Sequence, residues 1–181
     1  MTEYLPELLA GFLCTHPNLD IDLQELPSSR TTHALRQGAA DLGIVSDAVD
    51  TDGLQAWPFR DDPLVLILPT GHPLADGRAV RFSETLSHDY VGLNASSALA
   101  IYLEEQALHI GSRMQIRIRA DGFDGMIRMV AHGAGVAIVP KAAVERRPPE
   151  PSYQCVSLQE SWTHRALLLC ARNFEGLPAY A

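Results

Sequence analysis

The sequence predicts an α/β fold built on open, mostly parallel sheets flanked by helices, and three observations carry that prediction. Helical and strand periodicities alternate along the chain, the pattern of helices laid against a largely parallel sheet. LVLILP at 64–69 and VAIV at 136–139 are apolar throughout, as strands covered on both faces are. Helix-like segments open on Ser, Asn or Asp after strand-like ones, which puts capping residues at strand-to-helix junctions.

Leu5, Leu8, Leu9, Phe12 and Leu13 follow the i, i+3, i+4, i+7, i+8 spacing of one helical face, and His16-Pro17-Asn18 ends that helix. LDIDLQEL at 19–26 alternates apolar and polar residues, predicting a half-buried strand. SSRTTHALRQG predicts a helix opened by hydroxyls and closed by Gly38, and DLGIV at 41–45 a strand. Strand, helix and strand in that order imply a parallel pair with a right-handed crossover. LVLILP and DYVGL at 89–93 read as further strands. NASSALAIYLEEQALHIG reads as a helix with Ala98, Ile101, Tyr102 and Leu108 on its apolar side. MQIRIRA at 114–120 alternates as a strand does; Met126, Ile127, Met129 and Val130 then form a helical stripe that Gly133 closes, and Pro140 halts the next strand. ERRPPEPSY is a proline-rich connector, and YQCVSL and RALLLCAR are the last two strands.

Bulk properties limit the function. A chain of 181 residues suffices for one domain or two small lobes. Its apolar fraction of 46% and charged fraction of 20% are those of a soluble protein. No apolar run approaches the roughly 20 residues of a membrane span, and residues 1–15 lack the basic start and apolar core of a secretory signal, so a cytoplasmic location is expected. A formal charge of −8 spread along the chain disfavours a phosphate backbone. Cys14, Cys155 and Cys170 form no CxxC pair and read as free thiols of a reducing compartment; Cys155 and Cys170 read as buried structural thiols, with a redox pair between them on neighbouring strands as the rival. No GxSxG elbow, phosphate-binding loop, dinucleotide fingerprint or HExxH spacing occurs. Neither an enzyme nor a bound cofactor or metal is therefore expected, and His33 and His132 read as surface positions.

The chemistry that remains lies at three helix starts: Ser28 and Ser29; Asn94, Ser96 and Ser97; and Asp124 after Phe123. In open α/β sheets ligands bind at the carboxyl ends of strands, where helix N-termini present free N–H groups and partial positive charge. Together these residues would line a polar cleft; singly, each reads equally well as an ordinary cap. Phe123 reads as core in preference to a stacking platform.

YLPELLAGFLCTHPNLDIDLQEL, ALRQGAADLGIV, HPLA at 72–75 and GAGVAIVP occur in this order. In sequence and spacing they resemble the effector-binding domain of LysR-type transcriptional regulators, and the resemblance covers nearly all of the chain. It implies a two-lobed, periplasmic-binding-protein-like (type 2) fold with two crossover strands, near LVLILP and RALLLCAR. Lobe one would be 1–68 plus 164–181 and lobe two 69–163. A small effector would sit between the lobes, with contacts implied at Ser28, at Asn94, Ser96 and Ser97, and at Phe123 and Asp124. Helix N-termini suggest a small carboxylate, although capping hydroxyls suit neutral polar ligands as well.

The resemblance also implies a homodimer or tetramer, and DNA binding only through an N-terminal winged helix-turn-helix that this sequence lacks. The first strand and last helix of the family are lacking too, so the chain reads as a fragment. The rivals are a transport solute-binding protein, which would share the cleft but needs an export signal, an enzyme, and a purely dimerising module.

Overall fold

The computed structural model describes residues 5–146 and 151–177. In chain order these form α1 (Leu5–Thr15), α2 (Ser28–Gln37), β1 (Gly43–Ser46), β2 (Gln55–Asp61), β3 (Leu64–Pro69), α3 (Phe82–Thr85), β4 (Asp89–Leu93), α4 (Ala98–His109), β5 (Gln115–Ala120), α5 (Phe123–Ala131), β6 (Ala137–Pro140), α6 (Lys141–Glu145), β7 (Tyr153–Ser157) and β8 (Ala166–Ala171). The chain divides into two compact units, passing from one to the other at Arg60/Asp61 and returning at Arg165/Ala166. Leu64–Pro69 therefore belongs to the second unit, where the sequence reading ended the first lobe at residue 68. Part of the proline-rich connector, residues 147–150, lies outside the described residues.

The first unit is a three-stranded sheet in the order β1-β8-β2 with α2 against it. Gly38 ends α2 in the left-handed conformation, φ 73°, as its position predicts. A Cβ on Gly43 would lie 2.6 Å from the Thr31 methyl, so α2 approaches β1 closely. Leu35, Val45 and Cys170 form the small core. β2 escaped the sequence reading because Pro58 interrupts it and most of its side chains are exposed. An edge strand tolerates both, and β2 holds that position. Trp57 stacks on Phe174 at 4.1 Å, and the Phe174 N–H donates to Gln55 Oε1 at 2.7 Å.

Two expectations fail in this unit. Residues 19–26 carry the predicted alternation but form no strand, because alternation supplies a face and not a ladder partner, and no described strand lies alongside. The parallel β-α-β pair is accordingly not formed; β1 pairs antiparallel with β8, Gly43 opposite Cys170 and Ser46 opposite Leu167. The first helix forms as predicted, but its apolar face is covered only in part: Leu5, Leu9 and Leu13 are half-buried, whereas Leu8 and Phe12 are exposed, as are Ile21 and Leu23 beyond it.

The second unit has β3 between β6 and β7, antiparallel to both, while β4 and β5 pair in parallel. A parallel bridge from Tyr90 to Val136 joins β4 to the start of β6. The sheets are thus mixed, not mostly parallel as expected: returning strands bring antiparallel neighbours, and the described parallel ladder is confined to β4 and β5. Leu66, Ile67, Tyr90, Val91, Met126, Ile127 and Ile138 lie at the centre of the main core. Of the predicted α5 stripe, Met126, Ile127 and Val130 are buried and Met129 is exposed. On α4 the buried face is Leu99, Ala100, Leu103 and Ala107, with Leu108 58% exposed. The predicted face was rotated by about one position, since Leu99, Leu103 and Ala107 make the i, i+4, i+8 stripe that packs.

The thiols also differ from expectation. Cys155 pairs with Ile67 in the second unit and is exposed, whereas Cys170 pairs with Gly43 in the first and is buried. They do not lie on neighbouring strands. Cys14 on α1 is exposed.

Candidate functional site

Because β4 and β5 run in parallel with Leu93 opposite Ala120, the two connections that leave their carboxyl ends start side by side. The Asn94 N–H donates to the Ala120 carbonyl at 3.1 Å, fastening one loop to the other. Asn94 Oδ1 accepts the Ser96 N–H at 3.3 Å and the Ser96 hydroxyl at 3.2 Å. This Asx turn delivers the chain to Ser97, whose Oγ accepts the Ala100 N–H at 3.2 Å and caps α4. Ser97 thus performs the capping role its residue type suggests. Ser96 and Asn94 are exposed and outside the helix.

The neighbouring helix begins differently. α5 follows Gly122, which has no side-chain cap, so no side chain of the N-cap residue satisfies the first-turn N–H groups. Asp124 is exposed in that first turn, where a carboxylate is favoured by the helix dipole. Phe123 is half-buried and packs against the main core, the role expected of it.

One cation at this strand end was not singled out in the sequence, where Arg119 reads only as a polar alternation position. Its guanidinium donates to the Leu93 carbonyl at 3.1 Å and to Glu104 at 3.1 Å. The second unit therefore starts the segment carrying Asn94, Ser96 and Ser97 beside the strand end that leads to Phe123 and Asp124, with Arg119 bound to the Leu93 carbonyl.

Ser28 belongs to the first unit. It is the first residue of α2, after Pro27, and caps nothing in its own helix. Its Oγ instead accepts the Ser46 N–H at 3.0 Å, binding the helix start to the carboxyl end of β1. Ser29 is exposed and offers its carbonyl to the Thr32 hydroxyl at 3.1 Å.

His33 and His132 are both exposed. Among the described residues no group of three or more His, Cys, Asp or Glu could hold a metal ion, and no helix is long and apolar enough to cross a membrane. Burial and the His88 ring 4.7 Å away push His72 below its ordinary value. Burial pushes the Cys155 and Cys170 thiols up, with Glu145 adding to the rise at Cys155.

The LysR substrate binding domain model matches residues 1–181. A probable hydrogen peroxide-inducible genes activator of Mycobacterium avium is 31% identical over 145 residues, covering 77% of this chain and 45% of that protein. The chain spans about half the length of the curated relatives it matches. Among solved structures, the CcmR regulatory domain of Synechocystis PCC6803 in complex with 2-PG superposes with a TM-score of 0.74 at 19% identity, over 98% of this chain and 84% of that one. The effector binding domain of QuiR in complex with shikimate gives 0.67 at 18% identity, over 98% and 84%. These likenesses show the fold, the periplasmic-binding-protein-like α/β architecture of effector-binding domains. With the family match spanning its whole length, the chain belongs to the LysR substrate-binding domain family.

Proposed function

We propose that this chain is the effector-sensing domain of a LysR-type transcriptional regulator and binds a small polar metabolite. Asn94, Ser96, Ser97, Phe123 and Asp124 of the second unit and Ser28 of the first are the proposed contacts. The observation that carries the reading is the side-by-side placement of the Asn94–Ser97 and Gly122–Asp124 loops at the carboxyl ends of β4 and β5, where open α/β sheets hold their ligands. The α5 start, whose N-cap Gly122 brings no side-chain hydrogen bond, favours a small carboxylate. The ligand-bound states of the CcmR and QuiR domains support a small-molecule effector.

The action proposed is binding without turnover: closure or reorientation is favoured by the effector's differential affinity for one state. DNA contact belongs to a separate domain, because a chain of charge −8 is poorly suited to a phosphate backbone. The regulator works as a homodimer or tetramer in the cytoplasm. Peroxide sensing, suggested by the name of the Mycobacterium avium relative, fits this chain less well. Two of its thiols are pushed up, which depletes the reactive thiolate, and they lie in separate sheets.

The test is a thermal-shift and calorimetric screen against small organic acids, with 2-PG and shikimate included. A true effector binds the wild-type chain and binds Ser96→Ala/Ser97→Ala at least tenfold more weakly, the loss of about one to two hydrogen bonds. Equal affinity in a folded double variant would remove this loop from the site.

A further inference from the structure

Ser28 is joined through hydrogen bonds to the point where the chain returns from the second unit to the first. From Ser28 Oγ the path runs to the Ser46 N–H at 3.0 Å, and from the Ser46 hydroxyl to Asp47 Oδ1 at 3.3 Å. Asp47 then grips one residue of the returning strand at two points. Its Oδ2 accepts the Ala166 N–H at 3.1 Å, and its own N–H donates to the Ala166 carbonyl at 3.0 Å. Ala166 is the first residue of the first unit after the crossing.

The residue before it is held as firmly on the other side. The Asp62 N–H donates to the Arg165 carbonyl at 3.0 Å, the Arg165 Nε–H donates to the Asp62 carbonyl at 3.2 Å, and the two side chains form an ion pair. Asp62 is buried and Arg165 largely covered, and the Arg165 guanidinium lies 5.9 Å from the centre of the Tyr102 ring on α4. A buried ion pair adds little net stability over an apolar packing of the same volume, and its best-attested use is to fix register. What it fixes here is the connection between β2 and β3 at Asp62 against Arg165, the residue before β8.

We infer that Asp47 and the Asp62–Arg165 pair clamp the Arg165–Ala166 peptide from both sides, so that Asp47 is a positioning residue tying the proposed effector contact Ser28 to the returning strand. A ligand that takes the Ser28 hydroxyl as its own partner would loosen the Ser46–Asp47 hold on Ala166, and one that adds to it would tighten that hold. The ligand consequence rests on the effector reading above. The clamp itself is a property of the unliganded chain and is tested without any ligand.

Amide hydrogen exchange of the unliganded chain reads it directly. In Ser28→Ala the Ser46 amide loses its acceptor and exchanges about tenfold faster, as loss of one hydrogen bond implies. The clamp predicts that the Ala166 amide, which does not touch Ser28, accelerates with it, while Ile67 in the second unit's core keeps its protection. Asp47→Ala should accelerate Ala166 further. Acceleration at Ser46 with Ala166 unchanged overturns the inference. If exchange rises throughout the first unit, Ser28→Thr, which keeps an acceptor oxygen, must restore protection at both amides, and failure to do so also overturns it. Replacing both members of the ion pair, Asp62→Leu with Arg165→Met, should accelerate Asp62 and Ala166 in a folded protein; unchanged protection at Ala166 would deny the second half of the clamp. A failed effector screen would leave these outcomes untouched.

Discussion

Gly135 shows how a single residue controls the junction that holds β4. Its φ is 150°, and a Cβ there would lie 2.4 Å from the Asp89 carbonyl oxygen. That same carbonyl accepts the Val136 N–H at 2.9 Å, and the Val136 carbonyl accepts the Val91 N–H at 2.9 Å. Gly135→Ala should therefore cost more than about 2 kcal/mol, combining backbone strain with a displaced bridge, as equilibrium denaturation would measure. The GAG of GAGVAIVP is legible as a turn, but a carbonyl 46 residues away is not.

Glu84 gives a second prediction at this scale. The Arg78 guanidinium, with the Arg81 N–H, holds its carboxyl at about 2, below its ordinary 4.5. A depressed carboxylate contributes stability that is present above its ordinary value and lost as pH falls toward the folded one. Stability should thus decline from about pH 4.5 to about pH 2, and Glu84→Gln should flatten the slope in that window. Ser97 and Ser96 complete the residue scale. Adjacent and alike in sequence, they differ in role because only Ser97 stands where an α4 N–H needs an acceptor.

At the scale of elements, strands with apolar runs were legible and strands defined by their neighbours were not. LVLILP and DYVGL correspond to β3 and β4 residue for residue, and α2 has its predicted bounds, because burial on both faces or a helix-ending glycine such as Gly38 is written locally. The 19–26 segment and β2 reverse the pattern: good alternation without a partner gives no strand, and poor alternation with Pro58 at a sheet edge gives one. The candidate loops follow the same logic. Hydroxyls at helix starts are visible in the sequence, but their adjacency depends on the parallel pairing of β4 with β5. α1 leaves Leu8 and Phe12 exposed, a surface of the kind that subunit contacts cover. Leu8→Asp with Phe12→Asp should lower the oligomeric state in analytical ultracentrifugation while the circular dichroism spectrum is kept; an unchanged assembly would place the contact elsewhere.

For the whole molecule, the charge of −8 disfavoured a phosphate backbone, no apolar run was long enough for a membrane span, and the order of four motifs pointed to the family that the full-length match shows. The identity of the effector was not legible, since capping hydroxyls, an amide and one carboxylate define a polarity and not a molecule. Arg119 and the Asp62–Arg165 pair were missed for a physical reason: each acts through a partner distant in sequence.

The central claim is that this chain binds a small polar ligand at the β4 and β5 strand ends, and calorimetric titration of wild type and Ser96→Ala with the strongest acid from the screen tests it most directly. At about 100 times its dissociation constant such a ligand stabilises the fold by about 2.7 kcal/mol. The account predicts saturable binding to wild type and clearly weaker binding to Ser96→Ala, with the variant's unliganded stability changed little because the Ser96 hydroxyl caps no helix and its bond to Asn94 is exposed. Saturable binding of identical affinity to both chains would contradict it.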